Sequence, residues 1–135
     1  MAKKKISPRR QAIFDKSGGV CWYCGDPLAN TRWHEDHFYP IRRNLDGTCL
    51  NPQYDVEENK VPSCASCNKL KSSLSIEYFR ELIYNFVDSL NKYTNQYKFA
   101  KRYAQIQETR HPIVFWFEKN KTHVNLPKPQ EQDAA

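Results

Sequence analysis

"CASCNKLK", residues 64 to 71, sets two cysteines at C-x-x-C spacing and follows them at once with an amide and two lysines. Such a pair lets two thiolates converge on one tetrahedral ion from a tight turn. What the stretch means depends on a second pair, and "CWYC" supplies it with Cys21 and Cys24. Two matched knuckles complete a shell of four thiolates, which predicts a structural Zn²⁺ on Cys21, Cys24, Cys64 and Cys67. The alternatives are four ordinary buried thiols or a redox pair. An ion would stabilise a 135-residue chain that is only 39% hydrophobic, with a mean hydropathy of −0.84. Cys49 is left over and is read as a plain thiol.

The knuckles stand 39 residues apart, against about 15–20 in compact zinc ribbons. The insert between them holds "RWHEDHFYPIRRN", residues 32 to 44, dense in histidine, carboxylate and arginine. Phosphodiester cleavage needs a base able to strip a proton from water, a hard cation held by oxygen donors, and positive charge along the backbone. His37 offers the base, and Asp36 an oxygen ligand. Asn68 offers a second oxygen through its amide, and Arg42, Arg43, Lys69 and Lys71 offer the charge. Neighbours on a regular strand point to opposite faces, so Asp36 and His37 serve one site only if the strand ends or bends there. Pro40 makes an ending plausible. A His34–Asp36 metal pair is the rival, and local physics leaves the choice open.

"EDHFYPIRRN" followed by "EENKVPSCASCNKLKSSLS" resembles the HNH endonuclease family over residues 21 to about 74. The resemblance implies a ββα-metal finger, in which a strand pair carries the Asp-His and a helix carries the final ligand, interleaved with a four-cysteine zinc site. By position, His37 looks like the general base, Asp36 and Asn68 like the ligands of a catalytic Mg²⁺ or Mn²⁺, and Asn59 like the middle Asn that braces the loop. DNA would be the substrate, cut to 5′-phosphate and 3′-hydroxyl ends. Two departures stand out. Asn68 replaces the name-giving final His, which favours hard, oxygen-seeking ions, and "IRRNLDG" replaces the glycine pair common after the proline. From local sequence alone Asn59 also fits a turn cap, Asn68 a helix N-cap and Lys71 a solvated face. Trp22 and Tyr23 are expected to pack on the zinc knuckle; His111 and His123 read as surface residues.

The rest of the chain sets the frame. A net charge of +6 and a pI near 9.1 favour an acidic partner, most simply nucleic acid. The expected class is α+β: a small zinc-stabilised nuclease core, then a long helical region and a short strand. The expected division is a flexible basic arm at 1–8 and the core at 9–74. A helix and strand packing on the same domain follow at 75–124, and a disordered tail at 125–135. Within the core, "RRQAIFDKSGGVC" reads as a short helix ended by Gly18 and Gly19. Apolar residues from Phe79 to Ala104 recur at spacings of four and three, one helical stripe, with Thr94-Asn95 able to cap a second helix. The stripe is expected on the domain's own core, with a homodimer seam over 79–104 as the alternative. "IVFWF" after Pro112 reads as a strand. Neither a signal peptide nor a membrane span is expected, so a cytoplasmic setting is, where thiols serve metals rather than disulfides. A non-catalytic zinc-knuckle module that binds nucleic acid is the competing functional reading.

Overall fold

The computed structural model describes residues 6–29 and 32–129. Lys3, Lys4 and Lys5 of the expected arm lie outside these residues, as do positions 130–135 of the expected tail. Residues 125–129 carry neither helix nor strand. The structure is α+β: helices and a two-stranded antiparallel sheet. Among the described residues no helix is long and apolar enough to cross a membrane.

Helix α1, Pro8–Asp15, starts inside the segment expected to be a flexible arm. Ser7 is its N-cap, accepting the Arg10 N–H on its hydroxyl at 3.2 Å, and Pro8 takes the first position, where no N–H is needed. Gly19 ends the turn at φ +92, and a Cβ there would meet the Phe14 ring at 2.9 Å. Strands β1, His34–His37, and β2, Lys60–Ser63, pair so that Asp36 faces Val61 and His37 faces Lys60. Pro62 is tolerated because both strands of a two-stranded sheet are edges. Its carbonyl accepts the Trp22 N–H at 2.9 Å, which fastens the first cysteine knuckle to β2. Helix α2, Ala65–Lys71, follows directly, with Cys64 as its N-cap.

The core of this unit is aromatic. Trp22, Tyr23, Phe38, Phe115 and Phe117 are all buried. Trp22 stacks on Phe117 with centroids 5.9 Å apart, and Phe38 meets Phe117 edge-on at 5.1 Å. Such pairs add about 0.5–1.5 kcal/mol each beyond their buried area.

The strand expected at "IVFWF" is replaced by a short helix, labelled α6 here, at Trp116–Lys119. The Trp116 and Phe117 N–H groups donate to the Tyr23 and Trp22 carbonyls at 2.8 and 3.1 Å. Burial and pairing against the knuckle satisfy what a sheet partner would have satisfied, and β-propensity measures little more than that fit.

The long helical region is three short helices: α3, Ile76–Tyr84; α4, Phe86–Tyr93; and α5, Asn95–Arg102. Thr94 lies between α4 and α5 in extended conformation, as its cap-like residue type suggested. Asn85, also a favoured cap type, is the N-cap residue of α4. Phe79 is buried, but Tyr93 is 73% and Phe99 50% exposed, so much of the expected stripe faces solvent. Residues Glu77–Ile113 form a compact unit of their own, whereas the chain up to Ile76 and from Val114 on forms the other. In the Glu77–Ile113 unit, Glu108 accepts from Asn91, from the Tyr97 hydroxyl at 2.8 Å and from Lys101 at 3.0 Å.

Candidate functional site

The four cysteines expected to hold an ion come together. Their Sγ atoms all lie within 4.8 Å of one another, with Cys24 and Cys64 at 3.9 Å. Four thiolates at the usual Zn–S distance of about 2.3 Å stand about 3.8 Å apart at the corners of a tetrahedron. Backbone geometry builds the cluster. Gly25, at φ +80, closes the first turn with its N–H on the Cys21 carbonyl at 2.9 Å. A Cβ at that glycine would meet Trp116 at 2.9 Å. Amide donors then reach the sulfurs: Cys64 N–H to Cys21 Sγ at 3.4 Å, and Cys67 N–H to Cys64 Sγ at 3.3 Å.

Thiolates this close repel one another unless a cation sits among them. The Cys67 thiol, as hydrogen-bond donor, draws Cys21 down to about 4. Burial pushes Cys24 up to about 12. The same Cys21 contact, with burial, holds Cys67 far above its usual range. A Zn²⁺ supplies the charge that lets all four ionise, so the donor set fits that ion.

An open cavity of about 220 Å³ is lined by Asp36, His37, Arg42, Arg43 and the Ser72–Ser73 pair. Sequence neighbours Asp36 and His37 share it because β1 ends at His37. His34 is exposed at the other end of β1 and does not line it. Asp36 is only 7% exposed. Its Oδ2 accepts from the Tyr23 hydroxyl and lies 3.3 Å from the Lys71 ammonium. His37 Nε2 sits 2.8 Å from Asp55 Oδ1, and that hydrogen bond holds the Asp55 carboxyl below its ordinary range.

Asn59 is fully buried and ties the loop between the strands to β2. Its Oδ1 accepts the Tyr39 N–H at 2.9 Å, while Nδ2 donates to the Tyr39 and Tyr54 carbonyls at 2.9 and 2.7 Å. It is a cross-brace, not a turn cap. Asn68 lies in the second turn of α2, whose N-cap is Cys64, so the N-cap alternative drops out. Asn68 and Lys71 stand three apart on one face of α2, and Lys71 reaches Asp36. Asn68 itself does not line the cavity that Asp36 and His37 share. Among the described residues its amide takes no side-chain hydrogen bond.

Lys71 is the correction. Expected as a phosphate contact, it is fully buried, with its ammonium on Asp36 and on the His37 carbonyl at 3.1 Å. Burial lowers its pKa, and Asp36 opposes the shift. A buried cation already matched to a carboxylate cannot also track a nucleic-acid backbone. Arg42, Arg43 and the exposed Lys69 remain available for that role. Two contributors went unnoticed in the sequence. Tyr23 reads in the sequence as a residue packing on the knuckle, and Asp55 is one of several carboxylates in "YDVEEN" with nothing to single it out.

No family model matches the chain, and no curated protein does. Among solved structures it is similar to the Type II-C Cas9 enzyme from Actinomyces naeslundii, at 22% identity and a TM-score of 0.43. The match covers 59% of this chain and 8% of that one. A likeness at this level establishes neither a family nor an activity.

Proposed function

We propose that the chain is a metal-dependent endonuclease of the HNH type that hydrolyses DNA phosphodiester bonds. One observation carries this reading: Asp36 and His37 line a single open cavity together with Arg42 and Arg43. The zinc-compatible cysteine cluster at the start of α2 fits the same reading, because it anchors the helix that bears Asn68.

In this mechanism Asp36 and Asn68 would hold a Mg²⁺ or Mn²⁺ ion, which when bound supplies positive charge to the phosphate and to the departing 3′ oxygen. His37 takes a proton from the attacking water; imidazole suits the task because it is commonly neutral near physiological pH. The water oxygen forms the new bond to phosphorus as the bond to the 3′ oxygen breaks, and that oxygen leaves with a proton from solvent. Arg42, Arg43 and Lys69 hold neighbouring phosphates and set the strand in register. Lys71 and Tyr23 hold Asp36 through Oδ2, so Oδ1 is the oxygen that would take an ion.

The same pairing favours a second reading, a zinc-dependent nucleic-acid-binding module without catalysis, since Asp36 is already neutralised by Lys71. Plasmid DNA incubated with Mg²⁺ or Mn²⁺ separates the two. The wild type should nick or linearise it, and His37→Ala should cut at least about 100-fold more slowly while still binding DNA. Equal cleavage by both proteins would eliminate His37 as the base, and binding with no cleavage by the wild type would establish the second reading.

A further inference from the structure

We propose that Asp55 is a positioning residue for His37, fixing the ring's orientation and tautomer so that Nδ1 faces the attacking water. The inference rests on the nuclease reading above. Its starting point is the 2.8 Å contact between His37 Nε2 and Asp55 Oδ1. An ionised carboxylate only accepts hydrogen bonds, so Nε2 carries the hydrogen, and in the neutral ring Nδ1 keeps the lone pair.

Hydrogen bonds tie down the main chain beside both partners. The Asp55 N–H donates to the Pro52 carbonyl at 3.1 Å, closing the single turn Pro52–Tyr54. The Tyr54 carbonyl, one residue before Asp55, accepts from Asn59 Nδ2 at 2.7 Å. On the other side, the Phe38 N–H donates to the Asn59 carbonyl at 2.9 Å, and Tyr39 is clamped by the Asn59 side chain. One buried asparagine therefore pins the chain immediately after His37 and immediately before Asp55. The Lys71 ammonium adds a further tie, donating to the His37 carbonyl at 3.1 Å. Asn59 thus acts on the base at second hand, by setting the carboxylate opposite the ring.

Asp55 is suited to this work and to little else. Its side chain is 46% exposed, so it adds little to the core, whereas the His37 side chain is 21% exposed. Among the described residues its carboxylate is bonded to no other side chain.

The test compares wild type, Asp55→Ala and Asp55→Asn in steady-state plasmid cleavage with Mn²⁺, alongside ¹⁵N spectra of the histidine ring at a pH where it is neutral. Asp55→Ala should lower kcat by about 10- to 100-fold, the usual effect of losing a partner that orients a site histidine, with KM for DNA changed less than about threefold. Asp55→Asn should recover part of the loss, because its amide oxygen still accepts from Nε2–H. The wild-type spectrum should show one tautomer for His37, protonated at Nε2, and Asp55→Ala a mixture. A cleaving wild type matched in kcat by Asp55→Ala, or a ring tautomer unchanged by the substitution, overturns the assignment of Asp55 alone. A wild type that cuts no DNA refutes the nuclease reading instead, and the spectra still decide whether Asp55 fixes the ring.

Discussion

Asn59→Ala tests the brace that holds the loop between β1 and β2. Asn59 is fully buried and makes three hydrogen bonds through its side chain, one accepted from Tyr39 and two donated to Tyr39 and Tyr54. Truncation removes all three and leaves their partners behind. Tyr54 is buried, so its stranded carbonyl costs about 1–3 kcal/mol. Tyr39 is half-buried, and its two main-chain groups recover water in part, at about 1 kcal/mol each. The sum is about 3–5 kcal/mol, a large share of the roughly 5–15 kcal/mol that holds a domain folded. Asn59→Asp sharpens the test. It keeps the size and the acceptor for the Tyr39 N–H but turns an oxygen toward two carbonyls, so it should destabilise at least as much. Urea unfolding at saturating zinc, followed by tryptophan fluorescence, measures both. An alanine variant within about 1 kcal/mol of wild type, or an aspartate variant as stable as wild type, would refute the reasoning.

The cysteine cluster should hold one zinc per chain by elemental analysis, and stripping it with a chelator should abolish cooperative thermal unfolding; a stripped protein that melts like the loaded one would count against a structural ion. Glu35 gives the pH dependence. Hydrogen bonds from Arg9 first, then Arg10, hold its carboxyl below the ordinary value of 4.5. A depressed carboxylate stabilises the fold fully above that value and loses its contribution as pH falls through the folded pKa. Glu35→Gln should therefore be less stable than wild type at pH 6 by about 1 kcal/mol, the scale of a partly exposed ion pair, and the gap should close as pH falls below 4.5 and through the folded pKa. A gap that stays constant across that range in urea titrations would sink the assignment.

The parts of this molecule written in local sequence were legible. The two C-x-x-C pairs converge as their spacing implied, and the end of β1 at His37 lets neighbouring residues share a cavity. What local sequence cannot carry is the rotation of one element against another. Lys69 and Lys71 look alike in "NKLK", yet one is exposed and the other buried, because only the second faces β1. Asp55 gains meaning only when the loop closes and brings it to His37, 18 positions away. "IVFWF" has the composition of a strand, but its partner is the turn at Trp22 and Tyr23, which sets a helix instead. Asn85, a favoured N-cap residue type, starts α4, so this second break was legible in the sequence.

The sulfurs are not equally sheltered. Cys21 is sealed in the interior, Cys64 and Cys67 are half-covered, and Cys24 stands open to solvent. Amide donors reach the sulfurs of Cys21 and Cys64 and draw off some of their electron density. An oxidant therefore meets the cluster at Cys24 first, and a sulfenic acid there would forfeit one corner of the tetrahedron. Peroxide stress would then reach the Asp36–His37 cavity indirectly, through the helix that the sulfurs moor.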